Sequence, residues 1–195
     1  MPHTAHTPDT PTTLAQALQQ ASAAGLDRID AQQLLLLALG RDTGARAWLL
    51  AHGDDPLPHD CASTWAGLTQ RRLAGEPFAY ILGQREFFGL TLQVDARVLV
   101  PRPDTETLVE WALEKLDTWP AEPAPRLLDL GTGSGAIALA LKSQRPKAQV
   151  CATDASVGAL AVAQANAQRL GLAVEFRPGH WLAAVPGQRF DLIAS

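Results

Sequence analysis

Three glycines and two carboxylates carry the densest chemistry in this sequence. Asp129-Leu130-Gly131-Thr132-Gly133-Ser134-Gly135 lies between the apolar run Arg126-Leu127-Leu128 and the alanine- and leucine-rich segment Ala136–Leu141. That order reads as strand, tight turn, helix. The glycines tolerate positive φ and leave no side chain between backbone and ligand. The helix that follows points its first N–H groups at whatever occupies the turn. A nucleotide-type ligand suits such a turn. Asp129 ends the strand, where its carboxylate can face a cationic or hydroxyl-bearing ligand or hold the turn itself. Asp154 ends the next strand about 20 residues on, where an acid accepts hydrogen bonds from both ribose hydroxyls; the plainer alternative is a helix cap. Gly131-x-Gly133-x-x-Ala136 also fits a dinucleotide fingerprint, which keeps a nicotinamide oxidoreductase open.

A second constellation lies upstream, at Pro101-Arg102-Pro103-Asp104-Thr105-Glu106. The prolines keep this loop extended and stiff, and Asp104 or Thr105 can cap a helix over Glu106–Leu116. Arg102, Thr105 and Glu106 are more polar equipment than a connector needs and are candidates for touching a substrate. The plainer reading is a capped helix start with an Arg–carboxylate pair.

The elements that must position these groups fall into an order. Residues 1–11, rich in Thr, Pro and His, are expected to be a disordered tail. Residues 12–75 are expected to form a helical bundle: a first helix stopped by Gly25, a second started by an Asp30/Gln33 capping box and stopped by Gly40, a short third carrying Trp48, and a longer fourth with Trp65, Leu68 and Leu73 inward. Residues 76–104 read as a linker, with a hairpin over Ile81–Val94 that turns near Gly89. Trp119–Pro125 is a proline-rich connector. From Arg126 onward the pattern is α/β: strands at 126–130, 149–153, 173–176 and 190–194, with helices at 135–143 and 157–170. Such units build a parallel sheet.

Bulk properties exclude several classes. Hydrophobic content of 47% and charged content of 18% suit an ordinary globular chain of 195 residues. With a net charge of −4 and scattered Lys and Arg, no nucleic-acid footprint stands out. Arg71-Arg72 is the one basic cluster and fits a solvated helix face. Cys61 and Cys151 lack metal-ligand spacing; Cys151 reads as a small core residue in a reducing compartment. No membrane anchor is apparent, so a cytoplasmic location is expected.

Arg71-Arg72-x-x-Gly75-Glu76-Pro77, Gly83-x-Arg85-Glu86-Phe87, Pro101–Glu106 and Asp129–Ala138 occur here in one order. In this the chain resembles the release factor glutamine N5-methyltransferase (HemK-like) family, within the class I S-adenosylmethionine-dependent methyltransferases, over about residues 12–195. The resemblance implies methyl transfer to the side-chain amide of the Gln in the release factors' Gly-Gly-Gln motif, with a helical bundle that helps to recognise the factor. It implies that Gly131, Thr132, Gly133, Ser134 and Gly135 meet the methionine end of S-adenosylmethionine, together with Asp129, while Asp154 meets the ribose and Trp181 the adenine. Trp181 also reads, more plainly, as a partly buried core aromatic.

Two departures accompany the match. Relatives commonly carry an acid just before the aromatic, where this chain has Gly179-His180. The family's Asn-Pro-Pro-Tyr motif, which holds the substrate amide, is expected beyond Ser195. The resemblance therefore implies a Rossmann-like sheet with strands 3-2-1-4 of the order 3-2-1-4-5-7-6, domain limits at 105–195, an exposed apolar edge at Leu192-Ile193-Ala194, and a 195-residue chain that is inactive alone, from a longer gene. A monomer is expected. Alternatives are a ribosomal-protein glutamine methyltransferase and a release-factor-binding fragment without catalysis.

Overall fold

The computed structural model describes residues 13–119 and 123–195. The expected tail at 1–11 and the middle of the proline-rich connector lie outside the described residues. The chain divides into two compact units, one running to Ile81 and the other from Leu82 to Ser195.

The first unit is helical: α1 (Leu14–Ala23), α2 (Arg28–Ala38), α3 (Arg46–Ala51), α4 (His59–Leu73) and the start of α5 (Phe78–Leu82). Caps set the ends. Thr13 accepts from the N–H of Gln16 at the start of α1, and Asp27 accepts from Ile29 and Asp30 at the start of α2. Gly25 and Gly40 follow their helices with positive φ, as stop signals should. The core centres on Leu14, Leu34, Leu35, Leu36, Leu49 and Trp65. Three expectations change here. Asp30 is not the cap of α2 but lies inside it, where it takes the Arg72 guanidinium at 2.7 Å. Leu73 is 44% exposed rather than inward, because the last turn of α4 leaves the core. Ile81-Leu82 end a short helix instead of opening a strand. The Arg71-Arg72 motif is a helix-end staple: Arg71 grips Glu76 through two nitrogens, and Arg72 also reaches the Glu76 carbonyl.

In the second unit a hairpin, β1 (Gln84–Phe87) and β2 (Leu90–Gln93), pairs antiparallel with Phe87 opposite Leu90. Phe88 (φ 51°) and Gly89 (φ 74°) form its turn, both with positive φ as in a type I′ hairpin. A phenylalanine resists that conformation. Two carboxylates offset the strain: Glu106 accepts from the Phe88 N–H at 3.0 Å and Glu86 from the Gly89 N–H at 2.7 Å. The hairpin is no linker. Phe87 and Leu92 are buried in the same core as Leu127, Leu139 and Val150.

The sheet follows: α6 (Asp104–Asp117), β3 (Arg126–Leu130), α7 (Ala136–Gln144), β4 (Gln149–Asp154), α8 (Val157–Leu170), β5 (Glu175–Pro178), a 3-10 turn (Trp181–Ala184) and β6 (Leu192–Ala194). The four strands are parallel and stand side by side as β5-β4-β3-β6. This is the α/β fold expected from the alternation. β3 is buried on both faces, which is why its apolar residues do not alternate with polar ones. β5 starts two residues later than expected, at Glu175, and β6 begins at Leu192. Helix α6 begins at Asp104 behind Pro103 with no side-chain cap, so Asp104 and Thr105 lie within its first turn. Pro103 suits that place, since its fixed φ is already helical.

Candidate functional site

The glycine turn leaves the carboxyl end of β3 and is pinned to β4. The N–H groups of Gly131 and Thr132 both donate to the Thr153 carbonyl at 2.9 Å, and that of Gly135 donates back to Thr132 at 2.8 Å. Gly131, Gly133 and Gly135 all have positive φ, yet they differ in what surrounds them. A Cβ on Gly135 would lie 2.9 Å from Leu139 Cδ1 and 3.2 Å from Ala163, so this glycine lets α7 pack closely on α8. At Gly131 and Gly133 a Cβ would meet nothing within 4 Å. Those two face open space along a cleft, while Gly135 is enclosed by protein.

The two acids divide the work differently from the expectation. Asp129 is 2% exposed and does not line the cleft. Its Oδ2 accepts from Thr132 Oγ1 at 2.6 Å and from the Ala138 N–H at 3.1 Å, so it braces the turn against α7 from beneath. Of the two readings of Asp129, these contacts are those of a residue that holds the turn. Burial pushes its pKa up to about 6 against the pull of those two hydrogen bonds, and the Asp154 charge adds slightly to the rise. Asp154 is half-buried and faces the cleft. Its Oδ2 takes the Gly133 N–H at 2.9 Å and its Oδ1 the Ser156 N–H at 2.8 Å. A carboxylate offers about four acceptor positions, so Asp154 retains capacity for a ligand's hydroxyls. It is not the cap of α8; Ser156 is.

The cleft, about 680 Å³, has two walls. One is the glycine turn with Ala136, Ile137 and Asp154; the other is the strap Arg97–Arg102 with Asp104, Thr105 and Leu108. Such a volume suits a cofactor-sized molecule. Arg102 and Thr105 thus reach the cleft. Glu106 does not, being committed to the hairpin turn. Beyond Asp154 a smaller depression of about 310 Å³ is lined by Gly131, Ala155, Gly179, His180 and Trp181. Trp181 is 69% exposed, so the buried-core reading fails, and its φ of 49° is uncommon for a bulky residue. Gly179 is required where it stands, since a Cβ there would lie 2.8 Å from that of Ala184.

Residues 12–83 match the PrmC N-terminal domain model, and residues 110–195 match the methyltransferase small domain. The chain is 53% identical over 172 residues to the release factor glutamine methyltransferase of Bordetella pertussis, covering 88% of this chain and 62% of that one. It is 48% identical over 180 residues to the enzyme of that name from Xylella fastidiosa, covering 92% and 63%. With the one from Escherichia coli it shares 43% over 183 residues, covering 93% and 64%. The chain belongs to the release factor glutamine methyltransferase family. It spans somewhat under two thirds of the length of these relatives.

For a member of this family, the second unit holds one residue that sequence reading passed over. Asn166, on α8, is fully buried and bonds to Gln93 and Ser134. A signal existed. Asn166 falls in the stripe Ala159, Leu160, Ala163, Ala167 that packs inward, and a polar residue in such a stripe must find partners there.

Proposed function

We propose that the protein transfers a methyl group from S-adenosylmethionine to the side-chain amide nitrogen of the glutamine in the Gly-Gly-Gln motif of peptide chain release factors. One observation carries the reading. Two glycines with open space at their missing Cβ share a cleft with Asp154, a half-buried carboxylate that keeps acceptor capacity. The residues fit the cofactor: the backbone of Gly131–Gly135 offers close approach to its methionine end, Asp154 offers acceptors to the ribose, and Trp181 offers an indole face to the adenine. When bound, S-adenosylmethionine supplies an electrophilic methyl on a sulfonium.

The chain's own residues hold and orient. Thr132 is fixed by Asp129 and Gly133 by Asp154, so the turn meets a ligand already shaped and little ordering entropy is lost. Arg102 and Thr105, on the strap side of the cleft, are proposed to steer the incoming substrate loop. The helical unit is proposed to help dock the release factor. We propose a cytoplasmic monomer; among the described residues no helix is long and apolar enough to cross a membrane.

Calorimetry with S-adenosylhomocysteine and with NADH tests the cofactor. Binding of the first alone is expected, and binding of NADH alone would overturn the reading. No Asn-Pro-Pro-Tyr occurs in the sequence, so the substrate is tested by binding: a release factor, its Gln→Ala variant and a ribosomal protein are titrated against the chain loaded with S-adenosylhomocysteine. Binding of the release factor and not of the ribosomal protein is expected, and binding of the ribosomal protein alone would reassign the substrate.

A further inference from the structure

The two walls of the cleft come from distant parts of the chain, and one buried amide joins them. Asn166 Oδ1 accepts from the Gln93 N–H at 2.7 Å, while its Nδ2 donates to the Gln93 carbonyl and to the Ser134 carbonyl, each at 3.0 Å. Gln93 ends β2 four positions ahead of Arg97, where the strap that forms one wall begins; Ser134 lies in the glycine turn that forms the other. Arg169, one turn on, reinforces the first link by donating to the Thr91 carbonyl and, at 3.4 Å, to Asn166 Oδ1. The pattern needs an amide: one acceptor for an N–H and two donors for two carbonyls, at 0% exposure. Aspartate has the shape but no donors, and alanine would leave three backbone groups without their partner, the Ser134 carbonyl fully buried and the two of Gln93 partly so.

We propose that Asn166 is a positioning residue that holds strap and glycine turn in register, and so sets the affinity of the cleft for its cofactor. This rests on the reading of the cleft as the S-adenosylmethionine site. The role is specific because Asn166 is the donor to Ser134 and touches both groups of Gln93, whereas the apolar neighbours on α8 fill core space without fixing either wall.

The test compares Asn166→Ala with Leu116→Ala, a core truncation away from the cleft, under conditions where both have lost the same amount of Tm. Two measurements are made on each full chain. In hydrogen exchange without ligand, Asn166→Ala should raise exchange about tenfold or more in both 94–101 and 131–136. In calorimetry, S-adenosylhomocysteine should bind about tenfold more weakly to it, with Leu116→Ala within about twofold of the parent. Unchanged exchange in either wall, or equal effects in Leu116→Ala, would overturn the proposal. Should Asn166→Ala not fold, Asn166→Asp, equal in size, is read the same way. If no form binds S-adenosylhomocysteine, the cofactor reading and the affinity role both fall, and the exchange arm alone decides the cross-link.

Discussion

Replacing Asp129 by asparagine asks what a buried carboxylate does to this fold. Burial is the chief reason that Asp129 is held at a pKa of about 6, above its ordinary value of 3.8. A folded pKa raised above the unfolded one means that the folded chain binds the proton more tightly between those values. Stability is then full below about pH 4, falls as pH rises through 4 to 6, and is lower above. A difference of about two pH units corresponds to about 3 kcal/mol. Asparagine keeps an acceptor for Thr132 Oγ1 or the Ala138 N–H and does not titrate. The variant is therefore expected to gain on the parent by about 3 kcal/mol between pH 4 and pH 7.5, whatever its offset at pH 4. Urea unfolding across that range, in a background with Trp48 and Trp65 changed to Phe so that fluorescence reports the second unit, measures the difference while other titrations cancel. A difference that is flat with pH, or that moves against the variant as pH rises, would show that the two hydrogen bonds outweigh burial and would refute the reasoning.

Four further outcomes are expected. Gly135→Ala should lower stability by about 2 kcal/mol or more, from positive φ and the close approach to Leu139 and Ala163, as thermal melting will show. Gly133→Ala, with open space around its Cβ, should cost only about 1 to 2 kcal/mol in the same melt but weaken S-adenosylhomocysteine binding about tenfold or more in calorimetry. Trp181→Ala should change stability by less than about 0.5 kcal/mol, being on the surface, yet reduce that binding about fivefold. Glu106→Ala should destabilise by about 1 to 2 kcal/mol through the unpaired Phe88 N–H, with binding unchanged.

The sheet was legible because its chemistry is local. β3, β4 and α8 announce themselves through apolar runs, and the glycine turn through its spacing. What stayed hidden depends on direction. A strand buried on both faces gives no alternation to say which way Asp129 points, so a ligand contact and a brace looked alike. Ile81-Leu82, two apolar residues beside Gly83, fit a helix end as well as a strand start, and only packing with the helical core decided. Glu106 looked like substrate equipment because its partner, Phe88, reveals its need for an acceptor only through a positive φ.

The cross-link through Asn166 also has a schedule. Phe88 and Glu106 are 18 residues apart in the chain, whereas Gln93 and Asn166 are 73 apart. Closing the longer loop costs about 1.2 kcal/mol more in chain entropy. At ordinary synthesis rates Gln93 also leaves the ribosome about 4 to 15 s before its partner does. The partner of the hairpin turn is thus available early in synthesis, whereas the amide that ties Gln93 to the glycine turn arrives only with α8.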